Sequence, residues 1–463
     1  MKGKVLEKLE IVDIADNGKS IARHNGLVIF IEKALPGDIV DVQITRKKSS
    51  YLEGRATFTH KYSEFRTTPF CKHFGICGGC KWQDMNYESQ LFFKQKQVTD
   101  AMVRLGRLDI PVVLPIIASD TIMHYRNKLD YSCSDKKWLS RDDFADVENT
   151  KGPALGYHIA GRFDMVLDVK ECFLQPEPSN SIRNAIKAYA DEHHLTFINL
   201  RNRQGLLRSL IIRNTLKGEW MVIVMVYENN QEQLNGLLQH LADSFPEIIS
   251  LLYIINQKGN DTFHDLDVNV FKGRDYILEE MDGLQFRIGA KSFFQTNPSQ
   301  TLKLYKAARE LADLTGEETV YDLYTGTGTI ANFIARYCKK VIGIEYVPEA
   351  IEDAKINSDL NNITNTEYYA GDMRELLTAE LFNKHGFPDV IITDPPRAGM
   401  HFDVVDCLLK SGCPRIVYIS CNPATQARDI GLLAELYKVE KLQPVDMFPH
   451  TAHVENIALL VLK

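Results

Sequence analysis

The chain has 463 residues, a formal net charge of −7, 44 % hydrophobic and 25 % charged residues. That balance describes a globular chain of roughly two to four domains with a sizeable core, and it gives no global sign of a polyanionic partner. Nine cysteines, an odd count in a chain of this length, argue against a disulfide scaffold and leave metal ligation or catalysis for any that cluster.

The first region, residues 1–59, is a series of short β runs cut by turn signals at Asp16-Asn17-Gly18, Asn25-Gly26 and Pro36-Gly37-Asp38. Short strands at this spacing predict a small OB-like β-barrel, a fold that often binds nucleic acid. Arg46, Lys47 and Lys48 form a basic cluster on it.

The second region, residues 60–283, opens with "CKHFGICGGCKWQ", which spaces Cys71, Cys77 and Cys80 as Cys-x5-Cys-x2-Cys. Three close thiols suit a metal, and Cys172 in "LDVKECFLQP" is a candidate fourth ligand ahead of Cys133. Zinc and a [4Fe–4S] cluster both remain open on this chemistry. The rest of the region reads as mixed α and β. "RSLIIRNTLKGEWMVIVMVYE" predicts two strands around Lys217-Gly218, and "NQEQLNGLLQHLADSF" predicts an amphipathic helix. "YESQLFFKQKQVTDAMVRLG" predicts a second helix with Leu91, Val98, Met102 and Leu105 on one stripe.

The third region, residues 284–463, alternates strand and helix. Strands at Thr319–Leu323, Lys340–Ile344, Asp389–Thr393 and Arg415–Ile419 predict a doubly wound α/β sheet, Rossmann-like and largely parallel. In such sheets ligands bind beyond the carboxyl ends of the strands. The first end carries Asp322, then Gly326 and Gly328, whose freedom lets the backbone approach a ligand. The second ends in Glu345, placed to accept hydrogen bonds from a ribose. Next come Asp372, a candidate partner for an adenine amino group, Asp394 in "DPPR", and Cys421 in "VYISCNPAT". An acid just before the glycine loop sits poorly beside a pyrophosphate and well beside a sulfonium, so S-adenosylmethionine fits better than NAD. Near the C terminus Glu455 stands before a final apolar strand, where a lone carboxylate suits a general base.

A thiol, an Asp able to hold an amide N–H, a spare carboxylate and a methyl donor together describe one reaction. Uracil C5 is too poor a nucleophile to take a methyl group directly. Addition of a thiolate at C6 makes C5 enolate-like, and a base must then remove the C5 proton so that the thiol can leave. Cys421 is the candidate nucleophile and Glu455 the candidate base.

"DPPRAG" (394–399), "IVYISCNPAT" (416–425) and "DMFPHTAHVE" (446–455) together resemble the signature stretches of the RNA uracil-C5-methyltransferase family. The resemblance implies Cys421 as nucleophile and Glu455 as base, with methyl-donor contacts from Gln295, Tyr324, Glu345, Asp372 and Asp394. It extends to the whole chain. The N-terminal barrel is similar to the TRAM domain of the family's ribosomal-RNA branch, and that branch's cysteine pattern implies a [4Fe–4S] cluster held by Cys71, Cys77, Cys80 and Cys172. The central domain is then a mixed α+β Fe–S domain and the last a methyltransferase domain. A 23S ribosomal RNA uridine is the implied substrate, with a transfer-RNA uridine as the alternative. No run of ~18 apolar residues is present and no apolar stretch follows the charged start. We therefore expect a cytoplasmic monomer with no membrane partner.

Overall fold

The computed structural model describes residues 3–139, 152–159 and 161–463. The N-terminal sheet has six strands in the order Val5–Glu10, Ile39–Lys47, Tyr51–Lys61, Leu27–Glu32, Ser20–His24 and Asp13–Ile14. All neighbours are antiparallel except Leu27–Glu32 beside Tyr51–Lys61. Alternation places Val40, Val42 and Ile44 on the inner face with Ile29, Ile31 and Leu52, the period-2 pattern of a half-buried sheet.

Among the described residues the central sheet has seven strands, with Leu207–Asn214 and Trp220–Val226 at its middle. Helices Ser179–Glu192 and Gln231–Ser244 pack on it, the second through Leu234, Leu237, Leu238 and Leu241. The hairpin Tyr276–Met281/Leu284–Gly289 turns at residues 282–283, where the sequence order divides the second and third regions. Its second strand binds the C-terminal body: Gln285 N–H donates to Asn361 Oδ1 and Arg287 N–H to Asn357 Oδ1, both at 2.8 Å.

The C-terminal sheet has seven strands in the order Thr366–Ala370, Lys340–Glu345, Thr319–Leu323, Val390–Thr393, Arg415–Ser420, Glu455–Leu462 and Tyr437–Val445. The first five are parallel, and Glu455–Leu462 runs antiparallel to both its neighbours. Helices cover both faces, so Ile391, Ile392 and Ile416–Ile419 are buried as continuous apolar runs.

Helix Tyr87–Asp100 joins this body although it precedes the central sheet in sequence. It continues into a π-turn at Ala101–Leu105, and Val98, Ala101 and Met102 enter the core under the C-terminal sheet. The wider turn rotates the following residues, so Leu105 is exposed where a regular stripe would bury it. The buried face instead carries Gln90, Phe93 and Lys94. Residues 112–117 then cover the sheet's outer edge, with Leu114 N–H donating to Leu442 O and Ile117 N–H to Pro444 O.

Candidate functional site

The register of two antiparallel strands builds the centre of the site. Ser420 pairs with Asn456 as the last rung between Arg415–Ser420 and Glu455–Leu462. One step further along each chain stand Cys421 and Glu455, facing across the place where the ladder stops. Helix Pro423–Leu433 begins directly after Cys421, capped by Asn422 Oδ1, which accepts from Ala424 N–H at 3.2 Å. Asn422 Nδ2 and Thr425 Oγ1 both donate to Arg397 O, at 3.0 and 3.2 Å, which ties the Asp394–Gly399 turn to the cysteine's turn.

Acids surround the thiol. Burial pushes the Glu455 carboxyl up to about 8, with Asp394 adding to it, and burial alone lifts Asp394 to about 7. Asp322 is raised to about 7 by burial, against the Thr325 hydroxyl that it accepts at 2.5 Å. Its other oxygen, Oδ1, is buried with no partner. Burial likewise pushes the Cys421 thiol up to about 11; Glu455 and Asp394 add to this and Arg397 opposes it. Two carboxyls act on the thiol against one guanidinium, so the thiol stands in surroundings short of positive charge.

The glycine loop lies at the same end of the sheet. Gly326 (φ +55°) and Gly328 (φ +74°) adopt left-handed backbone, and a Cβ on Gly328 would stand 2.9 Å from Tyr368 Oη. Glu345 fixes the loop, accepting from Gly326 N–H at 3.2 Å and from Val347 N–H at 3.0 Å. Tyr324 is half-buried; burial pushes its hydroxyl up to about 12, with Asp429, Asp372 and Glu345 adding to it. Thr327 Oγ1 donates to Phe293 O, bringing the Phe293–Gln295 turn beside the loop. Gln295 is held from the central domain: Asn127 donates through Nδ2 to Gln295 O at 3.2 Å and through its backbone N–H to Thr296 O at 2.9 Å. Asp372 is engaged by Arg374, whose ion pair holds its carboxyl down near 2. That pairing is invisible in the sequence pattern.

The chain leading to Glu455 is clamped by helix Tyr87–Asp100. Lys94 and Asp446 form a fully buried ion pair at 2.5 Å, to which Tyr87 Oη donates at 2.8 Å. Gln90 Oε1 accepts from His450 N–H at 2.8 Å, and Gln90 Nε2 donates to Trp82 O and Met85 O. Lys81 and Trp82 N–H both donate to His450 O. The segment after Cys80 therefore packs directly on the loop that ends at Glu455.

Cys71, Cys77, Cys80 and Cys172 line one cavity of about 90 Å³ and all four are free thiols. Burial pushes Cys77 up to about 11 and Cys80 to about 12, with Cys172 adding to both. Among the described residues, no three His, Cys, Asp or Glu side chains converge closely enough to hold a single metal ion. A tetrahedral zinc with bonds of about 2.3 Å would draw its sulfurs within about 4 Å of one another. Two further lining residues, Tyr157 and Arg126, have a buried hydroxyl and a buried Nε without partners. Thiols are the donor type that zinc and iron–sulfur clusters both take. Cys133 is buried in strand Lys128–Ser134, and Cys338 and Cys413 lie in the cores.

The family model described as tRNA (uracil-5-)-methyltransferase matches residues 206–463, and the TRAM domain model matches residues 1–57. The chain belongs to the RNA uracil-C5-methyltransferase family. Its members use S-adenosylmethionine, so this methyltransferase acts on RNA with that donor. It is 57 % identical to an uncharacterized RNA methyltransferase of Bacteroides thetaiotaomicron over 97 % of this chain and 100 % of that one. It is 51 % identical to one of Porphyromonas gingivalis over 98 % and 99 %. The structure of the Pyrococcus abyssi tRNA (uracil-54, C5)-methyltransferase with S-adenosyl-L-homocysteine is similar with a TM-score of 0.75 and 26 % identity, covering 98 % of this chain and 99 % of that one. Among the described residues, no helix of the methyltransferase is long and apolar enough to cross a membrane.

Proposed function

We propose that the protein methylates C5 of a uridine in 23S ribosomal RNA through a covalent adduct between Cys421 and C6 of the base. The observation that carries the chemistry is the register that sets Cys421 and Glu455 on facing strand ends with Asp394 beside both. S-adenosylmethionine supplies the electrophilic methyl group when bound. The turn that carries Asp394 is rigid because two prolines follow it, and the carboxyl accepts the N–H of the uracil. Having given up its proton, Sγ of Cys421 adds to C6 as the thiolate; the C5–C6 electron pair makes C5 enolate-like, and C5 takes the methyl group from the sulfonium, which leaves as a neutral thioether. Glu455 then accepts the C5 proton, the C6–Sγ bond breaks, and the C5–C6 double bond returns. Burial suits Glu455 to this role, because a carboxylate of raised pKa is a stronger proton acceptor. Gln295, Tyr324, Gly326, Gly328, Glu345 and Asp372 surround the donor, and the target base reaches the thiol by leaving its stack.

The four-cysteine cavity supports a [4Fe–4S] cluster held by Cys71, Cys77, Cys80 and Cys172, which braces the chain preceding His450. Barrel and cysteines together support the ribosomal substrate. The full-length similarity to the Pyrococcus transfer-RNA enzyme favours a second reading, a transfer-RNA uridine. Incubation with S-adenosylmethionine and unmodified RNA containing 5-fluorouridine separates the two, since fluorine at C5 blocks proton removal and stalls the adduct. Trapping of 23S fragments is the expected result. Trapping of transfer RNA replaces the substrate and keeps the chemistry, and no trapping by active protein refutes Cys421 as nucleophile.

A further inference from the structure

The elimination step needs Glu455 held against the adduct one residue beyond its ladder with Arg415–Ser420, where its backbone stays paired with Val445 on the other side. Cys421 has independent supports there, in the Asn422 cap and the hydrogen bonds to Arg397 O. Among the described residues nothing hydrogen-bonds the Glu455 carboxylate. What crosses the two strands at their ends is an amide pair. Gln426, fully buried in helix Pro423–Leu433, donates through Nε2 to Tyr418 O at 2.7 Å and to Asn456 O at 3.1 Å. Its Oε1 accepts from Asn456 Nδ2 at 2.8 Å. Asn456, equally buried, directly follows Glu455 and forms the last rung with Ser420.

Two buried amides are a poor choice for stability alone. Asn456 Oδ1 is left without a partner, whereas two apolar residues of the same shape would leave no side-chain amide unpaired and would only withdraw the Gln426 donor from the Tyr418 and Asn456 carbonyls. What amides add is direction. Three hydrogen bonds set the position of the Asn456 backbone against that of Tyr418, three residues before the cysteine. We infer that Gln426 and Asn456 are positioning residues, a buried amide clamp that aims the Glu455 carboxylate at the C5 proton of the base bonded to Cys421. The inference rests on the roles proposed for Cys421 and Glu455. The clamp acts on one step, in which the C5 proton passes to the carboxylate, the C6–Sγ electron pair returns to sulfur, and the ring double bond re-forms. Addition of the thiol and methylation of C5 precede it and do not depend on it.

The test compares the wild type with Gln426→Leu and with the double variant Gln426→Leu/Asn456→Leu, which removes the clamp without stranding an amide. Three readouts are taken: the rate of trapping on 5-fluorouridine RNA, turnover with adduct level on ordinary RNA, and the melting temperature with affinity for S-adenosylmethionine. Trapping should stay within about twofold of the wild type while turnover falls about tenfold or more and methylated adduct accumulates. The double variant should match the single one, because the pair acts as a unit. Normal turnover without adduct overturns the inference, and so does a parallel fall in trapping and turnover, which a general loosening would give. Failure of the wild type to trap at Cys421 would instead overturn the proposed chemistry.

Discussion

Replacing Glu455 by Gln keeps the shape of the side chain and removes its charge, so stability and chemistry can be read separately. The wild-type carboxyl ionises near 4.5 in the unfolded chain and near 8 in the folded protein. Over that interval the folded state keeps a proton that the unfolded state has lost, so stability falls as pH rises from about 4.5 to about 8. At 1.36 kcal/mol per unit, this group alone costs the wild type about 2–3 kcal/mol between pH 6 and pH 9. Glu455→Gln escapes that cost. Its stability relative to the wild type should therefore climb by this amount across the interval in urea unfolding of donor-free protein. On RNA the same variant has no proton acceptor, so turnover should fall by about 10²–10⁴-fold, with the methylated adduct visible as a shifted band on a denaturing gel. Parallel pH dependence of the two proteins would refute the buried carboxyl. Normal turnover without adduct would refute its role as base.

Cys421→Ala should abolish turnover and leave S-adenosylmethionine binding intact by calorimetry; retained methylation would refute the covalent route. Protein purified without air should be brown and carry about four irons per chain, falling in Cys172→Ser, and stoichiometric zinc without iron would overturn the cluster. Lys94→Met leaves Asp446 buried without its cation, which should cost about 3–5 kcal/mol in urea unfolding and lower turnover through the 446–455 loop. Wild-type stability in that variant would show that the pair does not hold the loop.

The parallel strands were legible because they are buried on both faces and read as uninterrupted apolar runs. Thr319–Leu323 is identical in sequence reading and structure, and Asp389–Thr393 shortens only to Val390–Thr393. The strand ends were legible for a related reason: a cysteine or carboxylate placed just beyond an apolar run is set by the run itself. Helix Tyr87–Asp100 was legible as amphipathic, but a stripe does not say which sheet it covers. Its buried side includes Gln90 and Lys94, whose burial depends on His450 and Asp446 more than 350 residues away. The same limit hid Gln426 and Asn456. A polar residue in an amphipathic pattern reads as solvent-facing, and only the paired backbones show that the two amides meet. Arg374 on Asp372 is hidden differently, since a flexible arginine two residues along has many acceptors within reach.

Under the proposed chemistry, the charge arrangement gives the site its order of events. Burial raises Glu455, Asp394 and Asp322, with Asp394 adding to the other two, so these carboxyls hold their protons more readily in the donor-free protein, and burial together with Glu455 and Asp394 raises Cys421. A cation entering beside them replaces those protons and lets the carboxylates ionise. It also removes part of the repulsion that opposes a thiolate, leaving Arg397 and the start of helix Pro423–Leu433 to favour it. A donor charged at sulfur meets that need, and its product, neutral at sulfur once the methyl group has gone, does not. Under the roles proposed for Cys421 and Glu455, burial that would be a defect in a structural carboxylate thus keeps Cys421 a thiol until the methyl group is in place.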